Sequence, residues 1–230
     1  MRQGLQQIEF LSKANSGELR VGCPEATAAG LLPVIAEQFA RQCPAARLYV
    51  VHADTASAHF QELRERRVDL LIGTMPSPFL EDDLTAETLL NERLVVISGM
   101  QSPWARRRHV KLDDLILEPW VLAPADTIPG KIVAGIFAGR GLSVPRANLV
   151  GLSLHLTLAL VATGRFIALM SGSVVQFNAK RFALKILPVK LPPQGPAIGV
   201  VTLKNRTIGP LAKRFIECAR RVASPLAKHS

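Results

Sequence analysis

The sequence predicts an α/β protein made of two lobes of similar plan, and three observations carry that expectation. Short β-prone apolar runs alternate with stretches in which apolar residues recur every three or four positions, the two periods of buried strand and half-buried helix. One run, Val68-Asp69-Leu70-Leu71-Ile72-Gly73, is almost wholly apolar, as expected of a strand in a parallel sheet covered on both faces. The alternation breaks at Met75-Pro76-Ser77-Pro78 and two extended pieces, 84–90 and 93–98, follow it; from Pro103 the same alternation begins again.

Leu5, Ile8 and Leu11 lie on one helical stripe that Asn15-Ser16-Gly17 ends. Leu19-Arg20-Val21-Gly22-Cys23 reads as the first strand, and the small residues from Pro24 to Gly30 read as a loop with a row of free amides before a helix. In that helix Leu31, Leu32, Ile35, Ala36, Phe39 and Ala40 form one buried face, and Pro33 fits its first turn, where the missing N–H has no partner to lose. A second strand is expected at 47–52, a helix with Phe60 and Leu63 inward, and the apolar strand at 68–73. In the second half, strands are expected at 120–123, 148–151, 166–170 and 184–187, with helices at 130–138 and 153–163. A stiff segment at 191–196 leads to a last strand at 198–203. The closing helix is expected to be capped by Thr207, with Gly209 and Pro210 in its first turn and Leu211, Phe215 and Cys218 buried.

At 48% hydrophobic and 20% charged residues the chain is a folded globule, and its apolar runs are far too short to cross a bilayer. There is no charged start followed by an apolar signal core, which favours a cytoplasmic home. The three cysteines, Cys23, Cys43 and Cys218, are odd in number and unrelated in spacing, so they read as reduced packing residues. The net charge of +10 would suit nucleic acid or acidic ligands, but the basic residues are spread over helix surfaces apart from Arg106-Arg107-Arg108-His109, and aromatics, at 5%, do not interleave with them.

The strings LRVG and LLPVIAEQF, separated by about seven small or polar residues, resemble the start of the effector-binding domain of LysR-type transcriptional regulators. Residues 63–73, Glu118-Pro119-Trp120-Val121-Leu122, and the run from Ser153 to Leu169 fit the same family in order and spacing. The resemblance implies two Rossmann-like lobes joined by two crossing segments, the type 2 periplasmic-binding-protein-like arrangement. It places a linker helix at 1–16, lobe I at 17–97 and 197–224, lobe II at 98–196, and a tail at 225–230. The family's N-terminal winged helix-turn-helix has no counterpart in these 230 residues, so the chain corresponds to the sensor half. The resemblance further implies a small-molecule effector held in an interlobe cleft, self-association as dimer or tetramer, and DNA contact only through the helix-turn-helix part. No cofactor and no membrane are expected.

In an open α/β sheet ligands bind beyond the carboxyl ends of the strands. Four loops are expected there, with Glu25, Ala26 and Thr27 in the first, Asp54, Thr55 and Ser57 in the second, Asp126 and Thr127 in the third, and Ser153 and His155 in the fourth. Each Ser, Thr or Asp taken singly is more simply a helix cap; as a group at the rim of one crevice they mark a candidate ligand site. The resemblance singles out Thr27, Thr55, Ser57 and Ser153 as hydroxyls in matching places. Gly151-Leu152-Ser153-Leu154-His155 resembles a nucleophile elbow but lacks its last glycine and any well-placed later histidine, so no catalytic residue is expected. His52 and Asp54 lack further ligands at metal-binding spacing. A stand-alone solute-binding protein of the same fold is the alternative reading.

Overall fold

A computed structural model describes residues 16–53, 60–192 and 195–227. Two compact units emerge from it, one formed by residues 1–91 and 196–230, the other by residues 92–195. The expected linker helix and the second candidate loop with Asp54, Thr55 and Ser57 lie outside the described residues.

In the first unit β1 (Gly17–Cys23) pairs in parallel with both β2 (Ala46–His52) and β3 (Leu70–Thr74). β10 (Ala197–Leu203) runs antiparallel between β3 and β4 (Leu84–Asn91), giving the order β2-β1-β3-β10-β4. The sheet is therefore mixed where the apolar runs suggested a parallel one. β4 and β10 are reached without a crossover helix of the kind that forces parallel pairing, so nothing constrains their direction. Period-two alternation sorts the side chains: Leu70, Ile72 and Val200 join one core, Leu71 and Val201 the other.

The first of those cores is closed by α2 (Leu32–Gln42) and α7 (Pro210–Ala227). Pro33 stands in the first turn of α2, as its fixed φ favours. Phe39 and Phe215, both fully buried, meet edge to face at 5.8 Å. Leu211, Phe215 and Cys218 are buried as expected, but α7 starts at Pro210, so Gly209 rather than Thr207 occupies the position before it. The helix also runs through Pro225 into the segment read as a tail. The second core lies under α3 (Gln61–Arg64), with Phe60 and Leu63 completely enclosed.

The second unit has the order β7-β6-β8-β5-β9. β6 (Trp120–Leu122) is parallel to β7 (Ala147–Val150) and β8 (Ile167–Ser171), whereas β5 (Leu94–Gly99) is antiparallel to β8 and β9 (Leu184–Ile186). β5 thus lies wholly in this unit, and the expected boundary at residue 97 falls within the strand. Its strand character was readable from its own residues, but its partners, β8 and β9, are some 70 to 90 positions away. α4 (Ile128–Ala138) packs Val133, Ile136 and Phe137 on Trp120 and Val96, with Phe137 and Trp120 edge to face at 5.7 Å. The indole N–H of Trp120 donates to the Leu115 carbonyl at 2.7 Å, so burial leaves no donor unsatisfied. α5 (Leu154–Ala162) packs on β5 and β8. A helix the sequence did not announce, α6 (Gly172–Asn178), follows β8 directly.

All three cysteines are buried and stand outside any disulfide. Burial pushes the Cys23 thiol up to about 11 and raises that of Cys43, which suits packing and not reactivity.

Candidate functional site

Three of the four loops, all but the second, can be followed from the strand ends. In the first unit the residues after Cys23 form α1 (Glu25–Ala29), one short helical stretch, instead of a loop. Glu25, Ala26, Ala28 and Ala29 are good helix formers, and smallness alone does not make a segment irregular. The Thr27 and Ala28 amides both donate to the Pro24 carbonyl, at 3.1 and 3.0 Å, so the row of free amides expected here is partly consumed within the turn. Thr27 itself is 4% exposed. Gly30 then breaks the run at φ −100 and ψ −90, and α2 starts separately.

In the second unit Thr127 caps α4: its hydroxyl accepts from the Gly130 amide at 3.3 Å and donates to the Pro124 carbonyl at 2.6 Å. Gly130 is required by this close turn, since a Cβ there would lie 2.0 Å from the Pro124 oxygen. Ser153 caps α5 in the same manner, accepting from the Leu156 amide at 3.3 Å. Asp126 is exposed beside Thr127. The helix-cap role weighed for each hydroxyl is therefore realised at both Thr127 and Ser153.

One hydrogen-bond pattern recurs in both units. The Ala53 amide donates to the Cys23 carbonyl and the Gly151 amide to the Leu122 carbonyl, each at 3.0 Å. Each bond ties the chain leaving one strand to the end of its neighbour, so β1 and β2, and likewise β6 and β7, release their loops side by side. Thr127 and Ser153 thus follow neighbouring strand ends of the second sheet, each at the positive end of a helix of nine residues or more. Thr27 stands at the corresponding edge of the first sheet.

Glu92 was given no role in the sequence reading, yet it is the one carboxylate among the buried polar side chains described. One oxygen accepts from the Ser173 amide at 3.2 Å and the other from the Ser173 hydroxyl at 2.6 Å, at the start of α6. Desolvation raises its pKa against these bonds, which lower it. The returning chain passes so close that a Cβ on Gly195 would lie 1.9 Å from the Glu92 carbonyl oxygen. Only the small polar run Ser171-Gly172-Ser173, which suits a helix start, could have announced this arrangement.

His155, the last member of the elbow-like motif, stacks edge to face on Phe182 at 5.7 Å, and Ser153 is engaged as a cap. Among the described residues no group of three or more His, Cys, Asp or Glu side chains could hold a metal ion, and no helix is long and apolar enough to cross a membrane.

The chain is 25% identical to the transcriptional dual regulator GltC of Bacillus subtilis, over 97% of this chain and 73% of GltC. It is 31% identical to the HTH-type transcriptional regulator DgdR of Burkholderia cepacia, over 82% of this chain and 58% of DgdR, and 26% identical to the HTH-type transcriptional regulator GalR of Pseudomonas putida, over 99% of this chain and 58% of GalR. It thus spans between 58% and 73% of these relatives. Among solved structures it is similar to the BenM effector-binding domain with its effector benzoate, at a TM-score of 0.70 and 25% identity over 91% of this chain and 93% of that one. The effector-binding domain of QuiR in complex with shikimate matches in fold, at a TM-score of 0.72 and 19% identity over 91% and 98%. These relatives are regulators carrying a ligand-binding domain and not enzymes. With two α/β units, loops gathered at the strand ends, and residues 12–224 matching the LysR substrate binding domain, the chain belongs to that family.

Proposed function

We propose that this chain is the ligand-sensing domain of a LysR-type regulator. In this reading it binds a small polar or anionic metabolite at the loops after β1, β2, β6 and β7, in the interlobe cleft that the family resemblance implies. The observation that supports it is the placement of Thr127 and Ser153 at the starts of two helices that follow neighbouring strands, where backbone amides and helix dipoles favour a negatively charged group. Benzoate and shikimate, the ligands of two similar domains, are both carboxylates, which supports the same choice. Glu25 and Asp126 bring negative charge to these loops, so a ligand that also carries an amine would suit both signs. The relatives' further length supports a DNA-reading part outside the matched region. A helix-turn-helix encoded in frame upstream of Met1 would separate this reading from a stand-alone solute-binding protein.

A thermal-shift screen of organic acids, amino acids and aromatic carboxylates tests the proposal. A ligand at a hundredfold excess over its Kd stabilises the folded chain by about 2.7 kcal/mol and raises Tm by roughly 5–10 °C. Thr127→Ala and Ser153→Ala each lose a cap, so each lowers the ligand-free Tm by roughly 2–4 °C, the equivalent of about 1 kcal/mol. The ligand-induced rise should shrink further in both variants. If both keep the full rise, the hydroxyls are caps only and the site lies elsewhere.

A further inference from the structure

The chain's positive charge is unevenly divided. Residues 92–195 hold 13 Lys and Arg against 5 Asp and Glu, a net +8 of the chain's +10. Among the described residues every ion pair lies in the first unit, at Glu18, Glu37, Glu65, Asp69, Glu81, Asp83, Glu87 and Glu217, so the cations of the second unit face solvent without carboxylate partners. Three of its segments converge. Val110 bridges Val189, the Arg140 guanidinium donates to the Lys190 carbonyl, and Trp104, Val110, Leu142, Val189 and Leu191 share one apolar cluster. That convergence gathers Arg106, Arg107, Arg108, Lys111, Arg140 and Lys190, all exposed, around one cluster. Asp113 and Asp114 are the acidic neighbours, and Asp114 is occupied in capping the Lys111 amide at 3.0 Å.

We propose that this cationic surface of the second unit is a contact site for the phosphate backbone of duplex DNA. Isolated surface cations are ordinary, but six that share an apolar base with two carboxylates beside them leave a concentrated field. One structure of similar fold is a full-length protein, CbnR, complexed with its target DNA, which makes a duplex the polyanion to test here, in addition to the helix-turn-helix contact that the resemblance implies. The patch is built of cations alone, and phosphate contacts carry no sequence information and add only salt-sensitive affinity. The inference does not depend on the ligand site, and the two can fail separately.

The test is fluorescence anisotropy of the whole chain with a labelled duplex of arbitrary sequence from 50 to 200 mM salt. About four phosphate contacts predict a loss of affinity of about 100-fold over that range, the slope being about 0.9 per contact. The variant R106Q/R107Q/R108Q is compared with R41Q/K204Q/K213Q, which removes the same three charges from the first unit. The patch variant should bind at least tenfold more weakly at 50 mM with a slope shallower by about 2.7, while the control changes by less than about twofold. Equal losses in both variants, or no binding of duplex by the unaltered chain at 50 mM, would overturn the proposal, as would binding to vesicles of phosphatidylglycerol and phosphatidylcholine with none to DNA. Far-UV circular dichroism checks that the triple variant is folded, and K111Q/K190Q serves as a second probe of the same surface.

Discussion

Glu92 sits 4% exposed with both oxygens bonded to Ser173, and its burial makes it sensitive to pH in an unusual direction. Desolvation raises its pKa above the ordinary 4.5, so the folded chain holds this proton over a range in which the unfolded chain has lost it. By linkage the stabilisation is present at pH below about 4.5 and is lost as pH rises through the folded value. Glu87 behaves oppositely. The Arg220 guanidinium, bonded to it at 2.6 and 2.7 Å, lowers its pKa, and that contribution is present above the ordinary value and lost as pH falls through the folded one. Glu92→Gln keeps an acceptor for the Ser173 amide and offers a donor to its hydroxyl, but cannot ionise. Melting curves of both proteins between pH 4 and 8 should show the variant gaining on the natural chain as pH rises. A constant difference across that range would show that burial leaves the proton affinity of Glu92 the same in the folded and unfolded chain. Its burial is a tertiary fact, invisible in a sequence where glutamate normally marks the surface.

α4 offers an internal comparison, because it contains two glycines in different surroundings. A Cβ on Gly130 would stand 2.0 Å from the Pro124 carbonyl, whereas one on Gly135 meets nothing within 4 Å. Alanine favours a helix interior by up to about 1 kcal/mol at either place, and only at Gly130 does backbone stand in its way. Gly135→Ala should therefore raise Tm slightly, while Gly130→Ala lowers it by the equivalent of about 1–3 kcal/mol, measured by calorimetry. Two similar shifts would mean that the turn at Pro124 gives way freely. At this scale most of the chain was legible: strands and long helices followed apolar period, and the caps at Thr127 and Ser153 followed residue type before an apolar run. Two elements were not. Residues 25–29 read as loop because small residues suit both turn and helix, and Gly172–Asn178 hid because Val174 and Val175 suggest a strand and Ser-Gly-Ser a turn. In both, tertiary contacts decided between nearly equal local preferences.

Each sheet ends on a strand with exposed apolar side chains. Tyr49, Val50 and Val51 on β2 are 37%, 48% and 37% exposed, and Val150 on β7 is 60% exposed, with Leu152 and Leu156 beyond it. Such edges normally carry charges or are covered. We take these edges as candidate contact surfaces for the self-association that the resemblance implies. Light scattering at high micromolar concentration should report a dimer or larger species, and Val50→Lys should shift it towards monomer; a monomeric natural chain would exclude the idea. The order of the units along the chain has a separate consequence. Residues 92–195 are continuous, but the first unit is assembled from both ends, and eight buried residues of its core come from α7. On the ribosome the second unit is complete while the first still lacks β10 and α7. Asn91 and Ala197 nevertheless face each other as register partners in β4 and β10. The first unit is thus a hairpin opened at its tip, into which an entire module has been spliced, and a tight turn between those two residues would restore it as a chain of its own.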